Sequence, residues 1–309
     1  MALRGRSLSG VVLDEAAFMD KEVWSEVIRP ALADKQGWAL FISTPDGTAS
    51  WFYDLWCYVP EDESGDWTRW SFTTIEGGNV PKDEVEAARG QLDERTFRQE
   101  FEASFENLTG LVAVSFSDEN ISDEAKDLHM LPLYMGVDFN VDPLCGVCAV
   151  KHNENLYVFD EIILRGGATT WDFAEEVVNR YGVDRRVITC PDPTGGARKT
   201  SGVGLTDHTI LRRSGFTVSS PRAPWKIRDK ITAVNTALFD ANGDRRTFIH
   251  PRCKELIKAL RTLTYAPNTG MPNKNLGVDH AFDAFGYLCL QQFNLAKPET
   301  LGQTSFRIY

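Results

Sequence analysis

The sequence lacks long hydrophobic runs. No stretch of its 309 residues approaches the roughly 18 uninterrupted apolar residues that a membrane-spanning helix needs. The first ten residues, MALRGRSLSG, contain two arginines but no apolar segment follows them. We therefore expect no signal peptide, no membrane span and an intracellular protein without disulfide bonds.

Cysteine pairs with metal-ligand spacing are also scarce. The six cysteines stand at positions 57, 145, 148, 190, 253 and 289, and only Cys145 and Cys148 are close in sequence. A structural zinc site of the usual kind needs a second such pair, which is missing. The pattern predicts buried thiols.

Basic residues are few at the start of the chain. The net charge is −11, and residues 1–108 carry 10 Lys and Arg against 21 Asp and Glu. Residues 185–261 reverse this balance, with 16 basic against 6 acidic residues. Such a surplus is typical of a phosphate-facing surface, although a solvated face is the alternative. The candidate phosphate contacts are Arg198, Lys199, Arg222, Lys226, Arg228 and Lys230.

The sequence contains no G-x-x-x-x-G-K-[ST] loop, which holds nucleotide phosphates in P-loop enzymes. Other parts of such a site are present. The apolar run VVL ends in Asp14 and Glu15, the acids that would hold Mg²⁺ through water and polarise the attacking water. Ser43 and Thr44 end a second apolar run, where hydroxyls can sense a γ-phosphate. Met1 lies 13 residues before Asp14, too few for the missing loop, so we expect no ATP hydrolysis by this chain alone.

The first third of the chain has an alternating α/β pattern. Buried strands are predicted at 9–13 and 38–43, a further strand at 67–72, and helices at 21–33, 82–92 and 93–105. Phe97, Phe101 and Phe105 would share one face of the last helix. A domain boundary is predicted at residue 110.

Residues 111–309 begin with three apolar runs, at 133–139, 144–151 and 155–163, separated by short turns. They predict an antiparallel meander. Strands then follow at 185–190, 216–220 and 246–250, and helices at 169–182, 207–215, 225–241, 251–263 and 279–293. The second domain is therefore also α/β, with a mixed sheet.

Three acidic residues in this second domain could share one site. Asp138 ends an apolar run, Asp192 follows a later strand, and Asp283 lies in the last helix. Carboxylates that converge from strand ends and a helix suit hard divalent cations, and an unpaired carboxylate in an apolar setting is costly. Two Mg²⁺ or Mn²⁺ ions could activate water and stabilise the leaving oxygen of a phosphodiester.

Other groups compete for the same roles. His280 precedes Asp283 by three positions and so shares its helix face, where it either assists metal binding or proton transfer, or is a structural histidine. The competing acids are Asp142, Asp160, Glu161 and Asp279.

The order of these motifs resembles the large terminase subunit of tailed bacteriophages, the motor and nuclease that packages viral DNA. VVLDEAAF and FISTPDG are similar to its Walker B strand and coupling motif, and TFRQEFEASF to the helix that ends its ATPase domain. GVDF, CPDPTGG and DHAFDAFGY are similar to the three acidic motifs of its RNase H-like nuclease domain.

The resemblance implies a truncated P-loop ATPase domain over 1–110 and an RNase H-like nuclease domain over 111–309. It gives Asp138, Asp192 and Asp283 metal-ligand roles and Asp14 and Glu15 half of an ATP site. It also implies duplex DNA as substrate, the portal protein and small terminase subunit as partners, a homo-oligomer on the portal and the cytoplasm of an infected bacterium. The alternatives are a catalytically inactive protein that docks on the portal, and another RNase H-like nuclease such as a resolvase or transposase.

Overall fold

The computed structural model of the chain describes residues 6–48, 50–59, 64–106, 110–140, 142–196, 204–221, 223–267 and 269–293. The chain divides into two compact units. The first comprises Met1–Ala88, Arg95–Thr109 and Pro267–Gly270, and the second comprises Arg89–Glu94, Gly110–Ala266 and Met271–Tyr309. Within the described ranges, no helix has the length and apolar character that crossing a bilayer requires.

The first unit contains a parallel pair of strands, β1 (Gly10–Asp14) and β2 (Trp38–Ile42). A π-helical stretch, Val23–Ile28, leads into α1 (Arg29–Ala33) between them. Four helices come later in the sequence, namely α2 (Trp51–Tyr58), α3 (Thr74–Gly77), α4 (Lys82–Arg89) and α5 (Glu94–Phe101). One face of the two strands is exposed, at Val12 and Leu40, and on the other face Leu13 is buried and Phe41 half-buried. The prediction of buried strands was therefore wrong.

Two other predictions for this unit were wrong. Residues 67–72 form no strand. Trp67 instead stacks on Phe41, with ring centroids 5.9 Å apart. The helix predicted over 93–105 ends at Phe101, and Ala103 has a left-handed φ of 50°, which a helix does not accommodate.

The second unit contains a six-stranded mixed sheet in the order β7–β6–β3–β4–β5–β8. The predicted meander is confirmed, because β3 and β5 each pair antiparallel with β4. The outer strands β6 and β8 run parallel to β3 and β5. The strands are β3 (Leu133–Asp138), β4 (Leu144–His152), β5 (Asn155–Leu164), β6 (Val187–Pro191), β7 (Thr217–Val218) and β8 (Thr247–Ile249).

The helices of this unit follow the predicted order. They are α6 (Thr170–Tyr181), α7 (Asp207–Arg213), α8 (Ile227–Leu238), α9 (Lys254–Thr262) and α10 (Asp279–Gln292). Strands β3 and β4 are buried almost throughout, as expected of strands covered on both faces. The predicted α/β class, with a parallel and a mixed sheet, is confirmed.

Helix α10 packs unusually close to β3. A Cβ atom added to Gly136 in β3 would lie 1.9 Å from the carbonyl oxygen of Ala284 in α10. Phe282, Phe285 and Leu288 of the same helix are completely buried. This packing places the residue before Ala284, Asp283, beside the central strand of the sheet.

Five of the six cysteines are buried, as predicted, and Cys57 on α2 is exposed. Burial raises the pKa of Cys145, Cys148 and Cys190 to about 12, and it also raises the pKa of Cys253 and Cys289. At pH 8 these five thiols are therefore almost entirely protonated and unreactive.

We expect the native protein to react with a thiol reagent such as DTNB at pH 8 at one cysteine of six. The released chromophore measures the number of reacting thiols. Cys57→Ser should abolish the fast reaction, and denaturant should expose the other five. Fast labelling of more than one thiol in the native protein would contradict this prediction.

Candidate functional site

Strands β3 and β6 place Asp138 and Asp192 side by side. The two strands are parallel neighbours, and Val137 lies opposite Pro191. The backbone N–H of Asp192 donates to the carbonyl of Val137 at 3.0 Å, so pairing continues to the point where each strand ends. Adjacent strands are about 4.8 Å apart. The two acids therefore share one edge of the sheet.

The carboxylate of Asp192 is held by the turn that follows it. Its Oδ1 accepts the backbone N–H of Thr194 at 2.9 Å, and its Oδ2 accepts the Thr194 hydroxyl at 2.8 Å. His208 on α7 has its Nε2 2.9 Å from the backbone carbonyl of Asp192, so this ring nitrogen donates. Burial lowers the pKa of His208, which favours a neutral ring. Thr194 and His208 thus orient Asp192, and neither was predicted.

Helix α10 brings Asp283 close to Asp138. Burial is the main reason that the pKa of Asp283 is raised. The negative charges of Asp138 and Asp279 raise this pKa further, while Lys230 opposes the rise. The same helix contacts Asp138 through His280, one turn before Asp283, so we group Asp283 with Asp138 in one acidic cluster.

Lys230 was predicted as a DNA contact, but the structure places it in this cluster. Its Nζ lies 2.5 Å from Oδ1 of Asp283, and only 8% of its side chain is exposed. A buried ammonium group paired with a carboxylate cannot at the same time contact a phosphate on the surface. The prediction was wrong because α8 turns this residue towards α10.

His280 contacts Asp138 from the first turn of α10. Its Nδ1 lies 3.1 Å from Oδ2 of Asp138, and its Nε2 lies 3.1 Å from Nδ2 of Asn140. A neutral ring protonated at Nδ1 satisfies both contacts, with Asn140 donating. The hydrogen bond to Asp138 raises the pKa of His280. Asn140 was not predicted, although it stands two residues after Asp138 in the same motif.

The competing acids have other partners. Both carboxylate oxygens of Glu161 accept backbone N–H groups at the start of α9, at 2.9 and 3.0 Å, and burial raises the pKa of this residue. Asp160 accepts from Arg180 and from the Tyr181 hydroxyl. Asp142 is exposed and accepts the backbone N–H of Gly166 at 3.3 Å.

Asp279 is the exception among the competitors. It is 5% exposed and begins α10, where a negative charge is favoured by the helix dipole. Asp279 directly precedes His280 and lies about one turn before Asp283 in α10, so we include it in the acidic cluster.

The donor chemistry of Asp138, Asp192 and Asp283 fits a hard divalent cation, because crowded carboxylates carry negative charge that such an ion neutralises. The cluster is not arranged as a metal cage, however. In the part of the chain that the structure describes, no three His, Cys, Asp or Glu side chains form a group that could hold a metal ion. Two of the three carboxylates, those of Asp192 and Asp283, accept hydrogen bonds from Thr194 and Lys230.

The acids and hydroxyls predicted as part of an ATP site lie at one edge of the two-stranded sheet. Asp14 pairs with Ile42 at the ends of β1 and β2, so Glu15 and Ser43, the next residue of each chain segment, lie beside each other at the same edge. Glu15 has a left-handed φ of 53°, which is uncommon and points to a constrained turn. The hydroxyl of Ser43 accepts the backbone N–H of Ala17 at 3.1 Å and holds this turn. Thr44 follows Ser43 and is half-buried.

The predicted basic surface is described only in part. Arg198, Lys199 and Arg222 lie outside the described residues. Lys226 precedes α8 and is exposed, whereas Arg228 is half-buried. Lys226 is therefore the best-placed phosphate contact within the described ranges.

Together, the parallel strand pair of the first unit and the mixed six-stranded sheet of the second, with acids at its edge, define an α/β protein. Comparisons with known proteins agree. Residues 1–128 match the family described as "Terminase large subunit, T4likevirus-type, N-terminal". The crystal structure of a large terminase from a thermophilic bacteriophage matches 94% of this chain with a TM-score of 0.67 and 17% identity. The match covers 70% of that protein.

Two proteins with similar sequences are each described as a terminase large subunit. The large terminase subunit of Escherichia phage T5 is 28% identical over 198 residues, which are 59% of this chain and 44% of the relative. That of Thermus phage G20c is 55% identical over 53 residues, which are 17% of this chain and 11% of the relative. These findings confirm the predicted resemblance to the large terminase subunits of tailed bacteriophages. The chain spans less than half the length of these two relatives.

Proposed function

We propose that the protein is a metal-dependent endonuclease that cuts double-stranded DNA during viral genome packaging. One observation carries the proposal. Asp138 and Asp192 lie at the ends of neighbouring parallel strands, and α10, which carries Asp283, packs on β3 and contacts Asp138 through His280. In this proposal, residues 111–309 are the nuclease domain, and residues 1–110 belong to an ATPase domain.

Asp138, Asp192 and Asp283 would hold Mg²⁺ or Mn²⁺, with two ions expected. When bound, such ions supply an activated water and neutralise charge on the phosphodiester. In the hydrolysis, water attacks phosphorus and the 3′-oxygen leaves.

The surrounding residues orient the carboxylates. His280 holds Asp138 through Nδ1, while Thr194 and His208 hold the side chain and backbone of Asp192. Metal affinity depends strongly on such supporting contacts, which keep the ligand oxygens in place.

Duplex DNA would lie along the basic stretch. Lys226 and Arg228 are the described residues that we assign to phosphate contacts, and the assignment extends to Arg198, Lys199 and Arg222. Phosphate contacts carry no base information, so we expect little sequence preference and an affinity that falls steeply with added salt.

The ATPase part and the partners are proposed on the family alone. Asp14, Glu15, Ser43 and Thr44 would contribute to ATP binding only together with a segment that carries the Walker A loop. The proposed partners are the portal protein, the small terminase subunit and further copies of this chain, in the cytoplasm of the infected host.

A plasmid-nicking assay with the 309-residue chain tests the proposal. We expect supercoiled plasmid to be cut with Mg²⁺ or Mn²⁺ and left intact with EDTA, because the carboxylates need the ions to act. Asp138→Ala and Asp283→Ala should abolish cutting. If cutting persists in these variants, the assignment of the site is wrong.

The same assay separates the alternatives. A folded chain that never cuts but binds portal protein would support an assembly role. Cutting confined to branched or specific DNA ends would support a resolvase or transposase instead.

A further inference from the structure

Lys230 is a buried cation inside the acidic cluster. It lies in the first turn of α8, where 8% of its side chain is exposed, and its Nζ is 2.5 Å from Oδ1 of Asp283. The ammonium group also lies 4.8 Å from the ring centroid of Tyr287 on α10, a favourable position for a cation. Lysine is almost never this buried unless it is paired. Its position is therefore set by the carboxylate.

Helix α10 has a glycine where Lys230 crosses it. A Cβ atom on Gly286 would lie 2.4 Å from Cγ and 2.7 Å from Cδ of Lys230. A glycine inside a helix makes the helix less stable than an alanine would, so the missing side chain at Gly286 destabilises α10 slightly. The space left by the missing side chain holds the aliphatic part of Lys230, so that its ammonium group reaches Asp283.

We infer that Lys230 is a built-in counter-ion that competes with divalent cations for Asp283 and so weakens metal binding at this site. The inference rests on the proposed nuclease function. A carboxylate oxygen bonded to an ammonium group must give up that bond, or share it, when a metal binds. The positive charge of Lys230 also repels an arriving cation at short range. Lys230 is thus a positioning residue, since it acts through Asp283.

Removing the lysine charge tests the inference directly. Lys230→Met keeps the length of the side chain but leaves Asp283 as an unpaired buried carboxylate, which a divalent cation would relieve. We expect the dissociation constant for Mn²⁺ to fall about tenfold or more, a change of about 1.4 kcal/mol per tenfold.

The measurement is a titration of the 309-residue chain with Mn²⁺ alone, without DNA, in which electron paramagnetic resonance counts the free ion. Arg246→Met is the matched control. Arg246 forms a comparable ion pair, 2.7 Å from the buried Asp240, and neither residue belongs to the acidic cluster. This variant should lose stability but keep the natural affinity for Mn²⁺.

Gly286→Ala provides an independent variant. The added methyl group displaces the Lys230 side chain while keeping every charge and improving helix propensity. We expect Gly286→Ala also to bind Mn²⁺ more tightly than the natural protein. This variant still tests the inference if Lys230→Met fails to fold.

The outcomes separate this inference from the proposed function. If the natural protein binds Mn²⁺ and neither Lys230→Met nor Gly286→Ala tightens binding, Lys230 is merely structural and only the inference fails. If the natural protein binds no Mn²⁺, the inference and the nuclease proposal fail together.

Discussion

Asp138→Asn is expected to slow metal-dependent DNA cutting by about a hundred- to a thousandfold, the usual effect of losing one preorganised electrostatic group. Asparagine keeps the size of the side chain and can still accept a hydrogen bond from His280 Nδ1, which lies 3.1 Å away. The substitution therefore removes charge and metal affinity while leaving the packing intact.

The rate of plasmid relaxation at saturating Mg²⁺ measures this effect, and circular dichroism establishes that the variant is folded. Asp142→Asn is the matched control, because Asp142 is exposed and lies only four positions from Asp138. It should cut at the natural rate. Equal losses in both variants would show that Asp138 has no special role in cutting.

Gly136→Ala is expected to destabilise the second unit by about 3 kcal/mol, the upper range for overpacking a core. The new methyl group would meet the backbone oxygen of Ala284 at 1.9 Å, and neither β3 nor α10 can give way by a side-chain rotation. The strain is relieved only if α10 moves off the sheet. That movement would take Asp283 away from Asp138, so cutting should fall as well.

Urea unfolding measures the loss of stability, with plasmid nicking at low temperature as the second measurement. Gly77→Ala is the control, because a Cβ there has no neighbour within 4 Å. The control should be unchanged or slightly more stable, as alanine favours the helix. Unaltered stability in Gly136→Ala would mean that α10 is not held against β3 as described.

Much of the second unit was predictable because its pattern is local. Three apolar runs with short turns between them leave little choice but a meander, and the structure confirms it. Asp138 and Asp192 were recognisable as strand-end acids from the apolar residues that precede them. The roles of these acids as metal ligands stay a prediction. The failed prediction at 67–72 shows the limit of composition, since a short run rich in aromatic residues does not by itself form a strand.

The sequence by itself determined the order of strands and helices in the second unit, the class of fold and the terminase resemblance, because each depends on neighbouring residues. Only the tertiary structure decided the partners of the site. Lys230 and Asp283 are 53 positions apart, and His280 and Asp138 are 142 positions apart. Contacts over such separations follow from the packing of α8, α10 and the sheet, and no local pattern of charge or hydropathy encodes them. The buried lysine is the clearest case, since its sequence neighbourhood is that of a surface cation.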